Sequence, residues 1–283
     1  MKINILSTIL FLAALFLAAC NLTQDVDIDL PDYQRQAVVE CYLEPGQPFR
    51  LLLTQSYGFF DPFALDSSFL QKTLLEGATV TISYNGVTDT LANGLFATFI
   101  APIKLFNYQS NRLVPATPGI EYALHITLPG GGVITGQTTM LTRVPIDSVV
   151  VEFSPDIDTL ARVLTYISDD RARPDYYRRL LNYSSLDSIP EQDFLVDDRI
   201  ITTPLIAFGT GYELTRGDTV FNTVFHITKD YYDYIESGQL AVFGNLSPFA
   251  QPSPIKSNVT GSDNPLGIFT CLLYDRDTTI IER

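Results

Sequence analysis

From residue 36 onward the chain runs in short stretches that alternate apolar and polar residues and break at Gly, Pro, Asn and Asp. Alternation with period two sends successive side chains to opposite faces of a pleat, so one face can be buried while the other meets water. Ala37-Val38-Val39-Glu40-Cys41-Tyr42-Leu43 reads this way and stops at Glu44-Pro45-Gly46, a turn; residues 49–56 follow. Residues 78–84 alternate again, Asn85-Gly86 is the dipeptide of a tight hairpin, and 87–91 return. Residues 96–100, 121–128 and 133–139 continue the pattern, with Gly130-Gly131-Gly132 as a turn, whereas 59–75 are irregular. Short strands at this spacing predict a β-sandwich.

Val144-Pro145-Ile146-Asp147 reads as a junction. Past it, residues 148–153, 160–168, 176–183, 200–208, 219–228, 267–274 and 278–281 carry strand patterns. One segment breaks the rule: residues 229–238 favour a helix, with Thr228 or Asp230 to cap it and Gly238 to close it. Residues 243–258 are Pro-rich and read as a long loop. The expected fold class is therefore mainly β: two β-sandwich (immunoglobulin-like) domains, 36–144 and 145–283, with one short helix in the second.

The first residues concern address rather than fold. Lys2 precedes an apolar run over residues 3–17, shorter than the ~20 residues a helix needs to span a bilayer. Leu17-Ala18-Ala19-Cys20 resembles the bacterial lipobox. That resemblance implies a signal peptide over 1–19, a diacylglycerol thioether on Cys20, and a fatty acyl group such as palmitate on the new amino terminus. Each buried methylene contributes about 0.8 kcal/mol and a single chain holds only marginally, so several chains together make a lasting anchor. Residues 20–35 then read as an acidic tether, with Asp25, Asp27, Asp29 and Asp32 around Pro31. The acids after the cysteine loosely resemble a surface-export signal; a plain solvated linker explains them equally well.

Charge narrows the partners. The chain has 18 Lys+Arg against 32 Asp+Glu, a formal net charge of −14. Such a surface repels nucleic acid and anionic headgroups alike. No later apolar run is long enough to span a membrane. Cys41 and Cys271 lie in strand-like runs near opposite ends of the chain, and buried free thiols are the expectation for them.

Several segments, taken in order, give the chain a family likeness: Val38-Val39-Glu40; Gly77-Ala78-Thr79-Val80-Thr81-Ile82; Gly119-Ile120-Glu121-Tyr122-Ala123-Leu124; Val144-Pro145-Ile146-Asp147-Ser148-Val149; Asp175-Tyr176-Tyr177-Arg178; Ser257-Asn258-Val259; and Gly267-Ile268-Phe269. With them the chain resembles the Bacteroidota lipoprotein family of domain of unknown function 4249 (DUF4249). It departs at Cys41-Tyr42, where small residues are common in the family, and in a tail past Phe269 richer in acids and arginines. The resemblance implies an outer-membrane lipoprotein encoded near TonB-dependent receptors, with a part in nutrient capture or receptor assembly.

A search for chemistry finds no local constellation. His125 and His226 each sit in an alternating strand, and both are expected on a polar face. No zinc-type Cys/His spacing, phosphate loop or Gly-x-Ser-x-Gly elbow occurs, so no catalytic, cofactor-binding or metal-binding residue is assigned. Asp25-Asp27-Asp29, Asp169-Asp170 and Asp197-Asp198 lack the twelve-residue calcium loop and read as solvated charge. Tyr231, Tyr232 and Tyr234, together with Phe59, Phe60 and Phe63, are candidate contact aromatics, with packing as the simpler explanation. The sequence reading is thus a non-enzymatic lipoprotein held at the outer membrane through Cys20, at the cell surface or on the periplasmic face, and accessory to a TonB-dependent receptor. A hydrolase built from carboxylates brought together by folding, or an adhesin-like module, are the alternatives.

Overall fold

Strand β1 (Ala37–Leu43) buries Ala37, Val39, Cys41 and Leu43 and turns Val38, Glu40 and Tyr42 the other way. β2 (Pro48–Gln55) does the same with Phe49, Leu51 and Leu53. β3 (Thr79–Tyr84) and β4 (Val87–Ala97) are joined by Asn85 and Gly86 at φ 46° and 74°. Two consecutive left-handed residues are what a two-residue hairpin needs to match strand twist. β5 (Leu105–Leu113), β6 (Glu121–Thr127) and β7 (Val133–Thr139) complete the N-terminal series. The computed structural model describes residues 33–58, 67–98, 104–246 and 253–282. Cys20, the tether acids, and Phe59, Phe60 and Phe63 lie outside the described residues, as does part of the strand expected at 96–100.

Two late strands return to this first sheet. β15 (Val259–Gly261) pairs with β7, and β16 (Leu266–Cys271) pairs in parallel with β1. The nine-stranded order is β15-β7-β6-β3-β4-β5-β2-β1-β16. Its two edge strands are consecutive in the chain, linked only by residues 262–265. Laid flat, nine strands would separate their edges by about 38 Å, whereas so short a link reaches no more than about 17 Å. The sheet must therefore curl until its edges meet. Asn258 closes the seam: its Oδ1 accepts from the Phe269 N–H at 2.9 Å, and its Nδ2 donates to Phe269 O at 2.8 Å and to Gln137 O at 3.3 Å. Inside lies one core including Val39, Phe49, Leu53, Ile82, Leu124 and Phe269. Gly267 (φ +126°) is needed where β16 meets β1, since a Cβ there would stand 1.9 Å from Val39 O.

The rest forms two smaller sheets stacked face to face. One runs β11 (Gln192–Asp197), β10 (Tyr176–Tyr183), β14 (Thr219–Ile227), β17 (Leu273–Ile280). The other runs β12 (Leu205–Gly209), β9 (Leu160–Ser168), β13 (Leu214–Thr215), with β8 (Ile146–Phe153) also paired to β9. Val163 and Ile167 of β9 meet Leu181 and Tyr177 of β10 and Val220 and Val224 of β14 between them. The fold is mainly β and sandwich-like. The two assemblies are not contiguous halves: residues 259–271 belong to the first sheet, although they follow the junction at Pro145. A single residue, Leu272, separates β16 from β17, and Arg35–Arg283 form one compact unit.

There are two α-helices among the described residues, α1 (Ser67–Thr73) and α2 (Lys229–Leu246). α2 starts as expected, with the Tyr231 N–H donating to Thr228 Oγ1 at 3.3 Å. It does not stop at Gly238, which has no left-handed φ here, and it runs through residues expected as loop. Gln239-Leu240-Ala241-Val242 are compatible with a helix, so the single glycine costs stability without ending it.

Candidate functional site

The outer face of the β11-β10-β14-β17 sheet is covered by α2 at one end and open at the other. Register builds the open part. Arg178, Phe225 and Tyr274 lie in one row across β10, β14 and β17, and Leu180, Thr223 and Arg276 in the next. Tyr42 of β1, with Glu44 just past its end and Leu272 between β16 and β17, forms one wall with Lys104, residues 186–190 form another, and Tyr231 of α2 closes the end. The result is a cavity of about 440 Å³, within the range of small-molecule sites.

Its aromatic lining is packed. Phe225 and Tyr274 have ring centroids 5.1 Å apart, and Tyr42 meets Tyr231 edge-on at 5.9 Å. Burial pushes the Tyr42 hydroxyl up, reinforced by its neighbour Tyr231. Burial likewise pushes Tyr231 up against the opposing pull of Arg178. Both remain neutral phenols able to donate a hydrogen bond.

Three cations line the cavity, and they are not equivalent. Arg178 is spent: its fork meets Asp193 at 2.8 and 2.7 Å and its third nitrogen donates to Tyr231 Oη at 2.7 Å. Burial would lower its basicity, but the Asp193 carboxylate overrides this and holds it raised. Lys104 pairs with Glu44 at 3.4 Å in an exposed position, where such pairs contribute little. Arg276 donates only Nε, to Thr223 Oγ1 at 2.8 Å, and lies 4.8 Å from the Tyr274 ring centroid. Among the described residues no carboxylate approaches it within 4 Å.

The residues singled out by sequence fare differently. His125 is exposed on β6, as expected. The expectation for His226 is corrected, for it is 2 % exposed. It shares the inner face of β14 with Val220 and Val224, between the stacked sheets, whereas its apolar neighbour Phe225 faces the outer side. Nδ1 meets Thr142 O at 2.7 Å, Nε2 meets Asp175 Oδ1 at 3.1 Å, and the ring stacks on Tyr177. With both nitrogens occupied, His226 pins the junction segment to the second assembly. Asp169 and Asp198 are buried rather than solvated: Tyr177 Oη donates to Asp169 at 2.7 Å, and Arg171 Nη1 bonds Asp169 at 3.3 Å and Asp198 O at 3.0 Å. Asp170 is exposed, and Asp197 caps the turn at Asp198–Ile200 and pairs with Arg199. Among the described residues no group of three or more His, Cys, Asp or Glu is placed to hold a metal. Tyr231 is 4 % exposed and Tyr232 packs on Tyr176, so both aromatics pack rather than project. Cys41 and Cys271 are free and buried.

The pocket residues Arg276, Tyr274, Phe225 and Lys104 were not singled out by sequence. Each stands at an alternating strand position or in a loop, and only the pairing register brings them together. A second concavity, over Ala123, Gln137 and Thr139 on the outer face of β6 and β7, is bordered by Asp230 and lined mostly by small polar side chains. It lacks the aromatic walls and the uncommitted cation of the first.

Fold and site thus describe a mainly β, sandwich-like protein with a concave aromatic and cationic pocket. Residues 23–278 match the family described as Domain of unknown function (DUF4249), and the chain belongs to that family. No curated protein matches. A solved structure titled "Cytokine receptor complex - Crystal form 1A" is similar at 12 % identity with a TM-score of 0.26, over 69 % of this chain and 86 % of that one.

Proposed function

We propose that the protein is an outer-membrane lipoprotein, anchored through Cys20, that binds a ligand or partner without transforming it and serves as an accessory of a TonB-dependent receptor in nutrient uptake. The observation that carries the binding part is the pocket. Its aromatic walls are held by mutual packing, Arg178 is fixed by Asp193 and Tyr231, and Arg276 has both terminal nitrogens without a hydrogen-bond partner among the described residues. A rigid cleft with one uncommitted cation is suited to holding a molecule. The anchoring part rests on Leu17-Ala18-Ala19-Cys20, and the receptor association on the family resemblance.

Deleting the gene tests the role in the cell. The proposal expects growth on the nutrient handled by the partner receptor to fall and to be restored by the parent gene, but not by a Cys20→Ala copy that cannot be anchored. Uptake through every co-encoded receptor at the parental rate would contradict it.

A further inference from the structure

We infer that the pocket takes a small organic monocarboxylate, with its carboxylate on Arg276 and its apolar body against Phe225 and Tyr274. The inference rests on the pocket being a binding site; it does not depend on which receptor the protein accompanies.

Three observations lead there. First, Arg276 is the pocket cation that the protein itself does not neutralise. Its Nε is fixed by Thr223 and its plane lies near the Tyr274 ring, which orients the two terminal nitrogens as a free fork. A guanidinium fork matches a carboxylate bidentately. Lys104, across the opening, is held by a single exposed pair to Glu44 and can add a second charge contact. Second, the floor beside Arg276 is apolar: Leu180, Phe225, Tyr274 and Leu272 line it. A bare inorganic anion would leave that surface wet, whereas a carboxylate carrying an aromatic or branched apolar body would cover it. Third, the molecule carries a net charge of −14. A polyanion is repelled by that field, while a single carboxylate is held locally by short-range pairing. A cavity of about 440 Å³ suits a ligand of this size.

The test is isothermal titration calorimetry of the intact, lipidated mature chain in phosphatidylcholine nanodiscs, with empty nanodiscs as the blank. The probes are 3-phenylpropanoate, its neutral amide 3-phenylpropanamide, and inorganic phosphate. The expected result is saturable binding of the acid with a dissociation constant on the order of 1 mM or tighter. The amide and phosphate should each bind at least about tenfold more weakly. Arg276→Gln should weaken the acid about tenfold, and Arg276→Lys by less, because charge is kept and the fork is lost. Arg276 is exposed, so R276Q is expected to melt with the parent; should it melt early, K104Q carries the same test with a several-fold loss. Acid and amide binding alike, phosphate matching the acid, R276Q binding as the parent does, or no saturable heat up to about 10 mM acid would each overturn the assignment. R276Q should leave receptor capture unchanged, so failure here is separable from failure of the receptor role.

Discussion

Cysteine chemistry divides the three thiols. Burial pushes Cys41 far up, reinforced by Cys271, and burial pushes Cys271 up to about 12, so neither is a thiolate at neutral pH. A lipidated Cys20 has no free thiol. Ellman's reagent should therefore find no reactive thiol on the native mature chain and two after denaturation. Three after denaturation would contradict lipidation, and rapid native reaction would contradict the burial. Arg179 poses a different problem. It is fully buried between the stacked sheets, held by Gln192 at 2.5 Å and Asn222 at 2.7 Å, with Nε unbonded and, among the described residues, no carboxylate within 4 Å. Burial pushes it down to about 10, so it is still charged at neutral pH. A buried charge so weakly compensated contributes little net stability. Arg179→Met is expected to unfold in urea within about 1 kcal/mol of the parent or above it, while Arg179→Ala loses about 3 kcal/mol through the cavity it leaves. A loss above about 3 kcal/mol in the Met variant would show that the charge itself is needed.

Among the elements, the seam of the curled sheet concentrates the risk. Asn258 supplies hydrogen bonds to both backbone groups of Phe269, where among the described residues β16 has no strand neighbour but β1. Asn258→Ala leaves those groups without their partner, and should cost about 2–4 kcal/mol in urea unfolding. A change below about 1 kcal/mol would mean the edges are held without it. The seam also explains why Ser257-Asn258-Val259 and Gly267-Ile268-Phe269 carry the family resemblance: they are the clasp and the strand it clasps. Strand positions were legible because alternation is local. Sheet order was not, because nothing local tells β16 to leave its neighbours and pair with β1. Four strands escaped notice, the short β13 and β15 and, for a related reason, β5 and β11. β5 holds the polar run Asn107, Tyr108, Gln109, Ser110, and only the fold shows that Asn107 is buried to bond Leu53 N–H and O at 2.7 and 2.8 Å. β11 carries Gln192 and Asp193, whose partners Arg179 and Arg178 lie on β10. His226 was misjudged because one strand cannot reveal which of its faces is the inner one: His226 shares it with Val220 and Val224, while Phe225 faces the pocket. The pocket was hidden for the same reason, as its rows exist only across three strands.

For the whole molecule, the tyrosines couple fold to pH. Tyr42, Tyr122, Tyr177 and Tyr183 are each pushed up, first by burial, and Tyr177 and Tyr183 further by Asp169 and Glu213. A phenol raised in the folded state and ordinary in the unfolded state stabilises the fold fully below about pH 10, and that contribution is lost as pH rises past it. The chain has no Trp to mask the signal. Absorbance at ~295 nm, where phenolate absorbs, should rise in two phases, exposed tyrosines first and the buried set together with loss of near-ultraviolet circular dichroism. One smooth phase with the fold intact would contradict the burial.

The most direct test of the central claim is a crosslinked pull-down of the intact lipoprotein from its native membrane, with mass spectrometry of what it captures. The account predicts enrichment of one TonB-dependent receptor, lost when Cys20→Ala removes the anchor. A reproducible absence of any outer-membrane receptor among the crosslinked partners would contradict it.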